Sequence, residues 1–186
     1  MTMELTFRQL FEQMKRLKEM LDPLRCLLPD DPHNMEVALV QHLRESVETA
    51  GGWLDDCLDQ SQAAQENLGR SDLNRSRKAL TRCQTSFDEV ERTFWAELLS
   101  YDKMREIEGL GARRRGIWLI WSHNVKNDLD VCRYELDRTR KALTACWQEL
   151  AEYAGTTSLS VQTSLVGQQI RATRPEVEEM EAQGVT

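Results

Sequence analysis

Apolar residues recur along this chain at alternating steps of three and four. From Phe7 the steps give Leu10, Met14, Leu17, Leu21, Leu24 and Leu28, apolar at every position. From Val40 they give Leu43, Val47, Ala50, Leu54, Cys57, Ser61, Ala64 and Leu68. From Leu73 they give Ser76, Leu80, Cys83, Phe87, Val90 and Phe94. From Trp118 they give Trp121, Val125, Leu129, Cys132, Leu136, Thr139, Leu143, Cys146, Leu150 and Tyr153. A sustained period near 3.5 residues marks helices that pack side by side at a shallow left-handed crossing angle.

The breaks between stripes carry stop and start chemistry. "LLPDDPHN" places Asp31 to cap a helix and Pro32 at its first position. In "LGRSDL", Gly69 can end one helix and Ser71 cap the next. The step from Leu68 to Leu73 breaks the phase, so the chain turns there. "EGLGARRRG" contains Gly109, Gly111 and Gly116, and Gly155 follows the fourth stripe.

The pattern predicts an all-α fold of four long antiparallel helices at about 5–28, 33–68, 72–108 and 113–154. Each of the last three would be about 50 Å long. Short loops between such neighbours give an up-down-up-down bundle with coiled-coil-like packing over residues 1–155. Pro23 is expected to kink the first helix, or Asp22 to cap a short second segment there. Gly51 and Gly52 are expected to weaken or bend the second helix.

Two stretches nearly repeat: "RSRKALTRC" ending at Cys83 and "RTRKALTAC" ending at Cys146. Leu80 and Cys83 lie on the third stripe, Leu143 and Cys146 on the fourth. An old duplication would produce this. So would two helices meeting one packing demand, with Ala79 and Ala142 allowing close approach. Neither origin implies chemistry.

After Gly155 the period changes. In "TTSLSVQTSLVGQQI" the residues Leu159, Val161, Thr163 and Leu165 alternate, which reads as extended chain. The segment 156–186 is therefore expected to be an extended or partly disordered tail. It would lie along the helices or add as a strand to a partner.

Composition supports the helical reading. The chain has 186 residues, 40% of them apolar and 30% charged, with only 9 Gly and 4 Pro. Few turns are available, so the elements must be long. The formal net charge of −7 argues against generic phosphate-backbone binding. The five cysteines include no Cys-x-x-Cys. The charged N-terminus has no apolar signal-peptide core, and no run approaches the ~20 apolar residues of a membrane span. Free thiols in a reducing cytoplasm, with no membrane partner, are the expectation.

Catalytic and metal signatures are missing from this frame. A di-iron bundle needs inward carboxylates and Glu-x-x-His on facing helices. No stripe position holds Asp, Glu or His, and His42 with Glu45 has the reverse order. Cys132 and Cys146 are about 21 Å apart along one helix, too far to share zinc. Cys57 and Cys83 could approach each other across helices as small apolar residues. The three histidines, His33, His42 and His123, sit in no nucleophile–base signature. Glycine-rich phosphate loops are absent. The sequence points to no metal, no cofactor and no enzymatic activity.

Two features remain. Arg113, Arg114 and Arg115 fall at the predicted start of helix four, where backbone N–H groups already favour an anion. "GIWLIW" opens the same helix apolar all round, and "TFWAELLSY" is similarly broad near the end of helix three. A tight turn at Gly109–Gly111 would bring the two regions together. Aromatic-rich patches are where interfaces concentrate binding energy. The reading is a non-catalytic helical interaction or scaffold (adaptor) module, bound to a protein partner or to copies of itself. Its expected contact residues are Phe94, Trp95, Trp118 and Trp121, with Leu159, Val161 and Leu165 of the tail. The alternative is anion or nucleic-acid binding through Arg113–Arg115.

Overall fold

The structure is a computed structural model, and it describes residues 2–28 and 38–153. These residues form five α-helices and no strand. They are α1 (Thr2–Leu27), α2 (Ala38–Gly69), α3 (Leu73–Thr93), α4 (Tyr101–Arg114) and α5 (Ile117–Tyr153). A π-helical turn, Phe94–Leu98, follows α3 directly. The linker 29–37, with its expected Asp31 cap and Pro32, and the tail 154–186 lie outside the described residues.

The stripes are the core. Every apolar position of the first stripe is buried, from Phe7 to Leu28, as is every one of the second, from Val40 to Leu68. The third and fourth are buried except at three helix-end positions: Leu73 and Trp118 are half-buried and Tyr153 is exposed. The hydroxyls on the stripes find backbone acceptors, so they enter the core without an unmet hydrogen bond. Ser61 donates to the Leu58 carbonyl (2.9 Å), Ser76 to Ala64 (2.8 Å) and Thr139 to Glu135 (2.8 Å).

Contacts fix the direction of neighbouring helices. Between α1 and α5, Trp121 Nε1 donates to the Leu27 carbonyl (2.8 Å), while Cys146 Sγ lies against that of Thr6 (3.5 Å). Low numbers on one helix meet high numbers on the other, so the pair is antiparallel. The same holds for α2 and α3, joined by Ser76–Ala64 and Cys57–Cys83. In α1 and α2, Arg44 donates to the Leu28 carbonyl (3.2 Å) and Lys18 pairs with Asp55.

The expected third helix, 72–108, is not continuous. At the π turn the Leu99 amide donates to the Phe94 carbonyl (2.7 Å), one residue beyond α-helical spacing. Ser100 is extended (φ −63°, ψ 146°), and its hydroxyl accepts from the Lys103 amide to cap α4. The extra residue re-phases the chain. Phe94, Leu98 and Leu99 are all buried, and the next buried positions are Ile107 and Leu110. A helix continued in the old phase would have put Glu108 there instead.

Other boundaries also differ from expectation. Asp72, not Ser71, caps α3, its carboxylate accepting from the Arg75 amide (3.0 Å). Ser71 takes φ 60° in the turn. α1 runs through Pro23 to Leu27, and α2 runs through Gly51 and Gly52 without interruption. Gly51 leaves the space that the Arg25 guanidinium of α1 occupies. α4 passes through Gly109 and Gly111 and ends at Arg114, so the turn falls at Arg115–Gly116.

Candidate functional site

That last boundary moves the arginine cluster. Arg113 and Arg114 occupy the final turn of α4, and Arg115 is its C-cap. A helix C-terminus is the negative end of the dipole, where cations are favoured without any bound anion. The expected placement at a helix N-terminus is thus corrected for Arg113 and Arg114: the helix that was to begin there is preceded by α4. Arg115 has φ 54° and ψ −171°, a region that is essentially glycine's.

α5 then opens with Ile117. Ile117, Leu119 and Ile120 are 84%, 54% and 64% exposed. Trp118 is half-buried and meets Trp121 edge-to-face, with ring centroids 5.4 Å apart. Trp121 itself is buried, its indole N–H spent on Leu27. α4 docks here through Gly111: a Cβ there would lie 2.9 Å from Ser122 Cβ and 3.2 Å from the Trp118 carbonyl oxygen. Only a glycine allows so close a helix approach.

The aromatic residues expected at one end do not meet. Phe94 is fully buried in the π turn. Trp95 is half-buried under the Arg133 guanidinium (5.2 Å). Arg133 is fifteen residues along α5 from Trp118, about 22 Å. α4 is the reason: it continues past Trp95 for another four turns before the chain reverses. Leu159, Val161 and Leu165 lie outside the described residues.

One polar feature went unseen in the sequence, and a second, the approach of Cys57 to Cys83, is as expected. Arg140 on α5 reaches α3, with Nη2 2.6 Å from Asp88 Oδ1 and Nε 3.1 Å from Glu91 Oε2. Its guanidinium also covers the Phe87 ring (4.9 Å). Burial opposes the charge, but the hydrogen bonds and charges of Glu91 and Asp88 outweigh it and raise the Arg140 pKa. Arg140 belongs to the "RKALTAC" repeat. Its counterpart in the other copy, Arg77, is exposed. Equal local sequence therefore gave no sign of the difference.

The second is the thiol pair. Cys57 Sγ lies 3.7 Å from the Cys83 carbonyl oxygen, and Cys83 Sγ lies 3.5 Å from that of Cys57. Contact with Cys83 and burial push the Cys57 thiol far up. Burial pushes Cys132 up to about 12 and Cys146 above its ordinary value. Such thiols are neutral, apolar core residues rather than nucleophiles. Among the described residues no group of three His, Cys, Asp or Glu is placed to hold a metal ion.

Two shallow clefts mark the surface. One of about 240 Å³ lies between α4 and α5 and includes Leu99, Tyr101, Arg105, Glu108 and Lys126. Lys126 is paired with Glu108 inside it. The other, about 360 Å³, lies where Met3, Leu68 and Tyr153 converge. No described helix is long and apolar enough to cross a membrane. Compared with protein-family models, curated proteins and solved structures, the chain matches none.

Proposed function

We propose that this chain is a non-catalytic helical interaction module, an adaptor or scaffold in a cytoplasmic assembly or homo-oligomer. In this reading α1, α2, the bent rod α3–α4 and α5 make an up-down-up-down bundle whose seams resemble a coiled coil. The observation that carries it is the exposed cluster Ile117, Leu119 and Ile120 beside Arg113–Arg115. Water-facing large apolar side chains gathered at one helix start are what a partner would cover. The contact surface is shifted from the tryptophans, which serve the core, to these aliphatic neighbours.

The test is co-purification from native lysate alongside light scattering, comparing the natural chain with Ile117→Ser/Leu119→Ser. The reading predicts a bound protein or an oligomer that the double substitution removes while helicity is kept. A monomer that retains no protein, or a complex indifferent to the change, refutes it. The nucleic-acid alternative predicts retention on RNA or DNA at low salt that Arg113→Ala/Arg114→Ala/Arg115→Ala abolishes. At the end of α4 these cations already have a favourable dipole, which leaves that alternative less support.

A further inference from the structure

Two of the five cysteines lie face to face across the α2–α3 seam. Each sulfur sits against the other residue's carbonyl, at 3.7 Å for Cys57 and 3.5 Å for Cys83, and the two thiols also hydrogen-bond one another. The reciprocity places the two residues directly opposite in this antiparallel pair. Seven residues on from Cys57 is Ala64, seven back from Cys83 is Ser76, and the Ser76 hydroxyl donates to the Ala64 carbonyl (2.8 Å). The register therefore holds over two helical turns. It sets Ser61 opposite Ala79, and all six residues are buried. Small side chains at every level bring the helix axes to the short end of the usual ~8–10 Å. At that separation a side chain reaches the opposite backbone, as three of these do. A disulfide needs Cα atoms within about 7 Å and Cβ atoms turned towards each other. A seam of this kind supplies both.

We propose that Cys57 and Cys83 are a redox latch: a peroxide converts them to a reversible disulfide that ties α2 to α3. One sulfur, as thiolate, attacks a peroxide oxygen. The O–O bond breaks, and the departing hydroxide takes up that thiol's proton as water. The second sulfur then attacks the sulfenic acid so formed. The S–S bond forms, the S–O bond breaks, and a second water leaves with the second thiol's proton. Two thiols lose two electrons and one peroxide becomes two waters.

The other thiols lack this arrangement. Cys132 and Cys146 turn their sulfurs to carbonyls of α1, those of Met20 (3.8 Å) and Thr6 (3.5 Å), and Cys26 is exposed. Cys146 is near enough to Cys83 to feel its charge, so it is the rival partner. Burial and contact keep the Cys57 thiol protonated, and the first step therefore waits on brief openings of the seam. Peroxide is little larger than water and needs only a small opening. The latch stays open under ordinary reducing conditions and closes slowly under oxidant. The second step is quick by contrast, because the resolving sulfur is already in contact. That stops the reaction at the disulfide, short of sulfinic acid. Once closed, the bond joins 57 to 83 around the α2–α3 turn and removes freedom from the unfolded chain.

The test uses the folded full chain with Cys26→Ser, which removes the exposed thiol. It is treated with hydrogen peroxide, unfolded in the presence of an alkylating agent, digested and mapped by mass spectrometry. The expected result is one cross-linked peptide pair holding Cys57 and Cys83, lighter by two hydrogens, with Cys132 and Cys146 alkylated. Dithiothreitol should restore both thiols. The oxidised chain should unfold at higher urea than the reduced one, and Cys57→Ala and Cys83→Ala should each abolish that shift. If either variant fails to fold, the peptide map of the Cys26→Ser chain decides alone. Cys57 and Cys83 both alkylated after peroxide, a sulfinic acid at either, or a link from either to Cys132 or Cys146 overturns the proposal. So does a bond that forms only in the urea-unfolded chain, or one that lowers the urea midpoint.

Discussion

Arg140 of α5 and Asp88 of α3 lie 2.6 Å apart, and with Glu91 they make a charged clasp between two helices that otherwise touch little. Glu91 is buried, and the guanidinium closes over Phe87. Removing one partner of a buried pair leaves the other charge uncompensated. Arg140→Ala should therefore cost about 3 kcal/mol in urea unfolding. Arg77→Ala, the same residue in the other repeat, should stay within about 0.5 kcal/mol. Equal effects would mean the clasp contributes nothing.

Gly111 and Gly109 should respond oppositely to alanine. At Gly111 the new methyl meets Ser122 and the α5 backbone, and neither can yield without separating the helices. A loss of about 2 kcal/mol is expected. At Gly109 the nearest atoms belong to the flexible Arg113 side chain at 3.8 Å. There alanine should gain up to about 1 kcal/mol from helix propensity. Thermal melts of the two variants decide it.

Thiol reactivity should single out one cysteine. Cys26 is exposed, whereas Cys57, Cys83, Cys132 and Cys146 are buried. Ellman's reagent at mildly alkaline pH should find one fast thiol, absent after Cys26→Ser, and the rest only on unfolding. The pH sign follows from Cys132, whose pKa rises from 9.0 to about 12 on folding. Above its unfolded value the unfolded chain ionises this thiol while the native chain keeps the proton. Stability should fall as pH climbs from about 9 towards 12. Cys132→Ala should lessen that slope.

The α4–α5 turn carries backbone strain at a non-glycine residue. Arg115 has φ 54° and ψ −171°. Arg115→Gly should raise stability by about 1 kcal/mol. Gly116, with φ 55°, should lose a similar amount on change to alanine. A melting temperature that moves the other way in either variant would refute the assignment of strain.

Much of the fold was legible because it rests on local periodicity. Phe7 to Leu28 and Val40 to Leu68 read as buried stripes and are buried, since a 3.5-residue apolar repeat has few other ways to leave water. The break at the π turn was missed: 72–108 read as one helix, although the third stripe ends at Phe94. The end of α4 was misplaced because Gly109 and Gly111 read as punctuation. In the tertiary structure Gly111 is a contact surface, where the missing side chain lets α5 approach. The candidate site followed that boundary: Arg113–Arg115 moved to a helix C-terminus and Trp95 moved away from Trp118. The sequence by itself determined which residues leave water, because that depends on spacing along one chain. Only the tertiary structure decided which apolar residues stay outside and why Arg77 and Arg140 differ, because both depend on what lies across the gap from each helix.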